Sequence, residues 1–154
     1  MTRISVALSL LCVLCSITSS LSFVFEDCGS QLAKFDEVTI SSCDTSEEKC
    51  AFPRGVDIHV NAKFTPNTDI SNVIAHAFGV LLDVPIPFPL EEPDVCKTPD
   101  SGITCPLKKD QPAEYKTTFN VEKKIPALSV EVMWEFRTEN DAKIICVKFP
   151  AKIV

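Results

Sequence analysis

The sequence predicts an all-β protein, an antiparallel β-sandwich of six or seven strands. Apolar residues alternate with polar ones in several segments, which is typical of strands with one buried face. No segment has a confident helical pattern, and the expected mature chain has an even number of cysteines, which favours disulfides. With 154 residues, 45% of them apolar and 23% charged, the chain is expected to fold as one domain.

The N-terminal segment has the three parts of a secretory signal peptide. Arg3 precedes an apolar run over residues 4–17, and small polar residues follow it. The run is shorter than the roughly 20 apolar residues that a membrane-spanning helix needs. We therefore expect cleavage after Ser22, a mature domain over residues 23–154, and a soluble secreted protein. Cys12 and Cys15 lie inside the signal and carry no function in the mature chain.

Strands are predicted, in chain order, over residues 38–40, 56–64, 73–82, 115–122, 128–136 and 145–149. The alternation is clearest in residues 56–64, where every apolar residue falls on one face. The apolar segment 73–82 fits a strand or a helix by its pattern. We interpret it as a strand because its neighbours are strands. Residues 85–112 are interpreted as a proline-rich connection, since the three prolines at its start cannot continue a ladder or a helix.

The cysteines of the expected mature chain predict three disulfides. These residues are Cys28, Cys43, Cys50, Cys96, Cys105 and Cys146. The sequence alone allows several connectivities. Short separations favour Cys43 with Cys50 and Cys96 with Cys105, which leaves Cys28 to reach Cys146. A zinc site is disfavoured because no two of these cysteines have the spacing of a structural zinc site.

Charge and motif content argue against nucleic-acid binding and catalysis. With a formal net charge of -6, the chain does not have the excess of basic residues that is typical of a nucleic-acid-binding domain. Neither G-x-S-x-G nor H-E-x-x-H occurs. His59 is interpreted as a solvated surface residue and His76 as a hydrogen-bonded core residue. The acidic clusters in residues 44–48 and 91–94 are interpreted as solvated loops, so we expect no enzyme activity, no cofactor and no metal.

A series of short motifs occurs in a specific order along the mature chain. They are Phe25-Glu26-Asp27-Cys28-Gly29-Ser30, Pro87-Phe88-Pro89-Leu90 with Pro93-Asp94-Val95-Cys96-Lys97, Cys105-Pro106-Leu107, Trp134 in an alternating strand, and Ile145-Cys146 followed by Phe149-Pro150-Ala151-Lys152-Ile153. In this order, with six matched cysteines, the chain resembles the soluble, lumenal Niemann-Pick type C sterol-transfer proteins of the ML-domain lipid-recognition superfamily. The resemblance covers essentially all of the mature chain.

This resemblance implies an immunoglobulin-like β-sandwich of about seven strands that holds one lipid between its two antiparallel sheets. It implies the same three disulfides, Cys28–Cys146, Cys43–Cys50 and Cys96–Cys105. The implied lipid-binding positions are Phe88, Val121 and Ile125 at the mouth and Ile58, Val60, Phe119, Leu128, Val130 and Trp134 in the walls. Without the resemblance, ordinary core packing is the simpler interpretation of these positions. Leu82 and Val84 match positions that dock on membranes or on a lysosomal membrane sterol transporter.

The resulting prediction is a carrier that is secreted or resides in the endosomal or lysosomal lumen. It binds a sterol or similar apolar lipid and transfers it between membranes or to a membrane partner. Lys123 and Lys124 lie between two mouth positions and are expected to favour contact with anionic membranes. Two alternatives stay open: an extracellular carrier of fatty acids or other semiochemicals, and an innate-immune lipid-recognition module. We expect a monomer.

Overall fold

Two β-sheets pack face to face in the computed structural model, which describes residues 25–44 and 46–154. The strands within these residues are β1 (Glu26–Asp27), β2 (Ala33–Ile40), β3 (Cys50–Phe52), β4 (Asp57–Pro66), β5 (Ile74–Leu81), β6 (Val84–Phe88), β7 (Ala113–Asn120), β8 (Leu128–Arg137) and β9 (Lys143–Ile153). The predicted all-β sandwich is confirmed. The predicted signal peptide, residues 1–22 with Cys12 and Cys15, lies outside the described residues.

The two sheets differ in size. Sheet A has the strand order β1-β9-β8-β5-β6, with β3 also paired to β9, and sheet B has the order β2-β4-β7. Their pairings are antiparallel except that of β3 with β9, which is parallel. Seven of the described strands have five or more residues, which agrees with the expected number.

Every segment predicted from alternation contains a strand. The ambiguous segment 73–82 forms β5, as predicted. The prediction of a connection over residues 85–112 is wrong at its start, because β6 pairs with β5 through register pairs such as Gly79 with Ile86. This pairing is possible because β6 is an edge strand. Every second residue of β6 can form backbone hydrogen bonds with β5. The backbone positions of Pro85 and Pro87, which have no N–H to donate, then face away from β5.

The three predicted disulfides are all present. Cys28–Cys146 joins positions 118 residues apart, whereas Cys43–Cys50 and Cys96–Cys105 close short loops. Cys96–Cys105 lies in the segment that follows β6. That segment is further fixed to β7, because the Lys116 backbone N–H donates to the Ser101 carbonyl at 2.8 Å. The chain after β6 is therefore held against the edge of sheet B.

Aromatic packing closes one end of the sandwich. The Phe64 and Phe136 side chains are 0% exposed, and their ring centroids are 5.6 Å apart. Tyr115 packs edge-on against Phe136, with ring centroids 4.8 Å apart. We call Phe64, Tyr115 and Phe136 the ring cluster. A second apolar cluster, around Phe52 and Phe149, lies toward the other end.

The register of the strands brings three chain segments together at that other end. Asp57 pairs with Asn120 in sheet B, and Leu128 pairs with Ile153 in sheet A. The loop 121–127, the β5–β6 turn and the C-terminus therefore lie away from the ring cluster. We call this the open end.

Candidate functional site

A cavity of about 200 Å³ lies between the two sheets. Its 24 lining residues come from both sheets. Only Tyr115, Asn120 and Trp134 among them carry a polar side-chain atom. The other lining side chains are apolar or absent. An interior of this composition favours an apolar guest over water.

The structure brings most of the predicted lipid-binding residues to this cavity. Those that line it are Val60, Phe88, Phe119, Val121, Ile125, Leu128, Val130 and Trp134. Ile58 is placed differently, since it is 0% exposed and packs in the cluster with Phe52 and Phe149 without lining the cavity. Its side chain points inward, as alternation indicated, but other side chains of the apolar cluster fill the space around it.

Several wall residues were not singled out from the sequence. Tyr115, Val132 and Phe149 line the cavity, and alternation had already placed each of them within a predicted strand. Phe52 and Leu90 line it as well. Phe52 lies in a strand of three residues and Leu90 in a loop, so neither belongs to a periodic pattern. Only the folded arrangement identifies these two.

Phe88 lies at the rim of the cavity, and the loop after β7 contributes further lining residues. Phe88 is 41% exposed although it lines the cavity, whereas Val121 is buried. Ile125, four residues beyond Val121, is half-buried and lines the same space. Phe88 is the last residue of an edge strand that is paired only with β5. Backbone hydrogen bonds to one neighbouring strand therefore hold this side of the rim.

An open groove of about 1230 Å³ runs along β7 and the segment after β6. It shares eight lining residues with the cavity: Ile40, Val60, Phe88, Leu90, Tyr115, Phe119, Asn120 and Trp134. The two spaces therefore adjoin where the edges of sheets A and B separate. The groove carries polar and acidic residues such as Glu91 and Glu92, so its outer part is suited to water.

The β5–β6 turn and β6 carry a row of exposed apolar side chains, the apolar stripe. The exposed fractions are 96% for Leu82, 59% for Val84, 50% for Ile86 and 41% for Phe88. Leu82 and Asp83 both have positive φ, 50° and 63°, as a tight two-residue hairpin requires. Leu82 and Val84, the predicted docking residues, therefore form the turn and the start of the strand that leads to the cavity rim.

The two predicted docking lysines lie in the loop at the open end. Lys124 Nζ lies 2.7 Å from a carboxylate oxygen of Glu122, and both side chains are exposed. A methyl group added at Gly55 would lie 2.6 Å from Cε of Lys123. The Lys123 stem thus lies over Gly55, and the Lys124 charge has an acidic neighbour.

The two histidines lie apart from the cavity wall. His59 is exposed, as predicted, and its Nδ1 lies 2.8 Å from Oγ1 of Thr118. The prediction of a core position for His76 is wrong. It is half-buried and alternates with the buried Ala75 and Ala77, so it lies on the outer face of sheet A, stacked on Phe78.

Neither a metal cluster nor a membrane span is found over residues 25–44 and 46–154. Within them, no group of three or more metal-ligating side chains could hold an ion. No helix in the same part of the chain is long and apolar enough to cross a membrane.

Comparison with known proteins identifies the family. Residues 22–153 match the family described as the ML domain. The chain belongs to the ML-domain family. The resemblance inferred from the order of motifs is therefore confirmed. Membership of this family also confirms the expectation that the chain is not an enzyme.

Other ML-domain proteins cover nearly the same part of the chain. The NPC intracellular cholesterol transporter 2 homolog a of Drosophila melanogaster is 40% identical over 129 residues, which are 84% of this chain and 86% of that protein. The ecdysteroid-regulated 16 kDa protein of Manduca sexta is 36% identical over 137 residues, 89% of this chain and 92% of that one. The crystal structure of a Niemann-Pick type C2 protein from Japanese carpenter ant has a TM-score of 0.84 and 67% identity, covering 86% of this chain and 100% of that chain.

Proposed function

We propose that this ML domain is a carrier, secreted or in the endosomal or lysosomal lumen, that binds one sterol or similar lipid between its sheets. It transfers this lipid between membranes or to a membrane partner. The apolar cavity is the observation that carries the proposal. A relative at 40% identity that is named a cholesterol transporter supports a sterol as the ligand.

Burial of apolar surface supplies the binding free energy. A ligand that buries about 400 Å² of apolar surface gains on the order of 10 kcal/mol, at about 25 cal/mol per Å² and before association costs. This gross gain needs no contact with a charged residue.

The cavity must widen when a lipid enters. Its volume of about 200 Å³ is below the roughly 300–1,000 Å³ of typical ligand pockets. β6 is the element best placed to yield, since it is an edge strand paired only with β5. Outward movement of Phe88 enlarges the space without disturbing the ring cluster.

The apolar stripe provides a route between a membrane and the cavity. Val84, Ile86 and Phe88 alternate along β6 and so share one face of the strand. Leu82, at the turn, is 96% exposed. Burying one such side chain in a bilayer contributes about 1.5–3 kcal/mol. The stripe therefore supports a transient contact, which suits a carrier that must leave the membrane again.

Lysines at the open end support contact with anionic lipid. Each basic side chain close to an anionic surface contributes about 1 kcal/mol. The whole chain is acidic, with a net charge of -6, and repels such a surface at neutral pH. Carboxylates in general begin to protonate in an acidic lumen while lysines stay charged. Docking is therefore expected to strengthen as pH falls.

Mass spectrometry of lipid that co-purifies with the native protein tests the proposal. We expect a sterol in the wild type. Val132→Trp fills the cavity and should remove the lipid, whereas Val56→Trp makes the same change at an exposed position that does not line the cavity and should retain it. Free fatty acids in place of a sterol would favour the carrier of small apolar signals. An acylated glycolipid would favour the immune module. Equal lipid content in both variants would contradict binding in this cavity.

A further inference from the structure

We propose that the free edge of β7 binds an extended, basic segment of a partner protein, which adds to sheet B as a fourth strand. The inference rests on the part of the proposed function in which lipid passes to a partner, and it names the surface and the chemistry of that contact. Addition of a strand requires unpaired backbone groups on an edge that is open to solvent. β7 is an edge strand of sheet B.

The backbone of β7 is free on its outer side beyond Lys116. The Lys116 N–H donates to the Ser101 carbonyl at 2.8 Å, so it points away from β4. Along a strand the backbone groups of every second residue point to the same side, which gives Thr118 and Asn120 this direction too. Neither residue has a backbone hydrogen bond to that side within residues 25–44 and 46–154. Both are exposed, so a partner strand can reach them.

The hydrogen bonds of His59 agree with this direction. His59 is the register partner of Thr118 on β4. Its N–H donates to Oγ of Ser41 at 3.0 Å, and its carbonyl accepts from the Ser41 N–H at 3.0 Å. Because the backbone of His59 bonds on the β2 side, that of Thr118 faces the groove. All the residues 115–120 line the groove although their side chains alternate between the two faces, as expected where the groove follows the strand edge itself.

β7 lacks the features that protect the other sheet edges. β6 carries Pro85 and Pro87, and β2 has a register irregularity between Phe35 and Glu37. β1 and β3 have only two and three residues. Residues 117–120 contain neither proline nor charge, and β7 pairs with β4 in regular register. Since proteins commonly block exposed edges with proline, charge, bulges or short strands, this edge is available for strand addition.

Charge around the groove selects a basic partner. One lysine and one histidine line it, against five carboxylates, those of Asp57, Glu91, Glu92, Asp100 and Glu122. Such a surface attracts a basic segment and repels an acidic one. A second copy of this chain would bring the same five carboxylates to the contact. The charge therefore favours a basic segment of another protein over pairing of β7 with itself.

The two faces of β7 predict an alternating pattern in the partner segment. Antiparallel addition is the more stable arrangement, and opposite residues then lie on the same face. Residues opposite Thr118 and Asn120 would donate their N–H to β7 and lie on the outer face, near Asp57, the register partner of Asn120, so we expect them to be basic. Residues between them would face Phe88 and Phe119, which line the groove, so we expect them to be apolar. The partner would thus dock beside the cavity rim, where lipid leaves.

NMR titration of the ¹⁵N-labelled wild-type protein tests the proposal. The probe is a capped peptide in which lysine and valine alternate. We expect the amide signals of Thr118 and Asn120 to shift and their hydrogen exchange to slow, because these N–H groups become bonded. A peptide of the same composition with its lysines grouped together should produce neither effect. No response of these two amides at millimolar peptide would overturn the proposal.

Backbone methylation of the peptide identifies strand addition without altering the protein. Methyl groups on the lysine backbone nitrogens should abolish both effects, because these nitrogens would donate to β7. Methyl groups on the valine nitrogens, which would face away from β7, should preserve them. An equal response to the two methylated peptides would overturn strand addition.

Reversal of charge in the groove tests the chemistry of the partner. Glu91→Lys/Glu92→Lys should weaken binding of the alternating peptide about fivefold, since two exposed attractions become repulsions. Glu47→Lys/Glu48→Lys makes the same change at an exposed acidic pair outside the groove and should leave the affinity close to that of the wild type. Equal affinities of the two variants would show that the groove does not select the peptide, which contradicts the proposal.

Sterol binding and self-association separate the remaining outcomes. If a fluorescent sterol binds the wild type but the peptide has no effect on Thr118 and Asn120, the docking edge is wrong and the carrier stands. If the peptide effects are present but no sterol binds, the edge is supported and the carrier fails. Analytical ultracentrifugation of the wild type without peptide should show a monomer. A dimer whose dilution shifts the same two amides would make a second copy the occupant and overturn the proposal.

Discussion

The carboxylate of Glu135 is buried, 1% exposed, and lies 2.6 Å from Nη2 of Arg137, two residues further along β8. Its other oxygen lies 2.8 Å from Nζ of Lys143 on β9, and His76 is its register partner on β5. Burial opposes ionisation of Glu135, but hydrogen bonds from Lys143 and Arg137 outweigh it, so its pKa lies below the ordinary value of 4.5. This network joins two neighbouring strands of sheet A.

Glu135→Gln is expected to lower the free energy of unfolding by about 2 kcal/mol at pH 7, because Lys143 and Arg137 lose charge-assisted hydrogen bonds to it, although Arg137 keeps its ion pair with Asp141. The lowered pKa means that Glu135 stabilises the fold above its ordinary pKa and loses this effect as pH falls through the folded-state value. The difference between wild type and variant should therefore shrink below about pH 4.5. Urea unfolding between pH 3 and 7 measures it. Glu122→Gln, at an exposed ion pair, should change stability by less than about 1 kcal/mol. Equal stability of Glu135→Gln and wild type at pH 7 would contradict this role.

Phe88→Ala and Phe136→Ala make the same change at positions of different function. Phe88 is 41% exposed and lines the cavity rim, whereas Phe136 is fully buried in the ring cluster. Phe136→Ala should cost about 3–5 kcal/mol of stability. Phe88→Ala should cost less than about 1.5 kcal/mol but weaken sterol binding at least tenfold. Thermal melts of the ligand-free proteins and sterol titrations test both. A loss of about 3 kcal/mol in Phe88→Ala would identify Phe88 as a core residue.

Leu82→Asn separates membrane contact from folding at the β5–β6 turn. Asparagine tolerates positive φ better than leucine, so stability should be equal or slightly higher. Transfer of a fluorescent sterol to vesicles should slow several-fold because the most exposed apolar side chain is lost. Asp83→Asn changes the neighbouring residue and keeps the apolar stripe, so its transfer rate should stay close to that of the wild type. Unchanged transfer by Leu82→Asn would place the membrane contact elsewhere.

Lys123→Glu/Lys124→Glu should slow transfer to anionic vesicles without changing sterol affinity. The wild-type rate should rise from about pH 7 to about pH 5 and fall with added salt, as a screened attraction does. Stopped-flow transfer to neutral and anionic vesicles measures these effects. Equal rates for wild type and the double variant on anionic vesicles would show that these lysines only solubilise the loop.

Most of the fold could be predicted from sequence because the long strands each have one buried face. In β4, β7 and β8, apolar residues on the buried face alternate with polar residues on the other face, so the sequence pattern indicates the strand. β6 was missed because its prolines exclude a central strand but allow an edge strand, and the sequence does not show which position a strand takes. β1 and β3 have two and three residues, too few for alternation to be detected. β3 also depends on β9, which lies about 100 residues away in the chain.

The site could be predicted only in part, because alternation gives the direction of a side chain and not the space in front of it. Ile58 and Val60 are two residues apart and both point inward, yet only Val60 lines the cavity. Glu135 is a residue that points outward and is nevertheless buried. Alternation with Trp134 and Phe136 places it on the outer face, but cationic side chains and the neighbouring Cys146 cover it. The cover comes from Arg137 on the same strand and from Lys143 and Cys146 on the adjacent strand β9, and alternation within β8 does not show these contacts.

The prolines of β6 bear on how the protein behaves at high concentration. An exposed edge strand with apolar side chains is a template on which other chains can add strands and aggregate. In β6 the outward-facing backbone positions Pro85 and Pro87 have no N–H to offer, so an incoming strand finds no donors there. The apolar edge that we propose to yield when a lipid enters therefore offers an incoming strand no hydrogen-bond donors at these two positions, which disfavours strand addition. Replacing both prolines would be expected to promote self-association through the same edge.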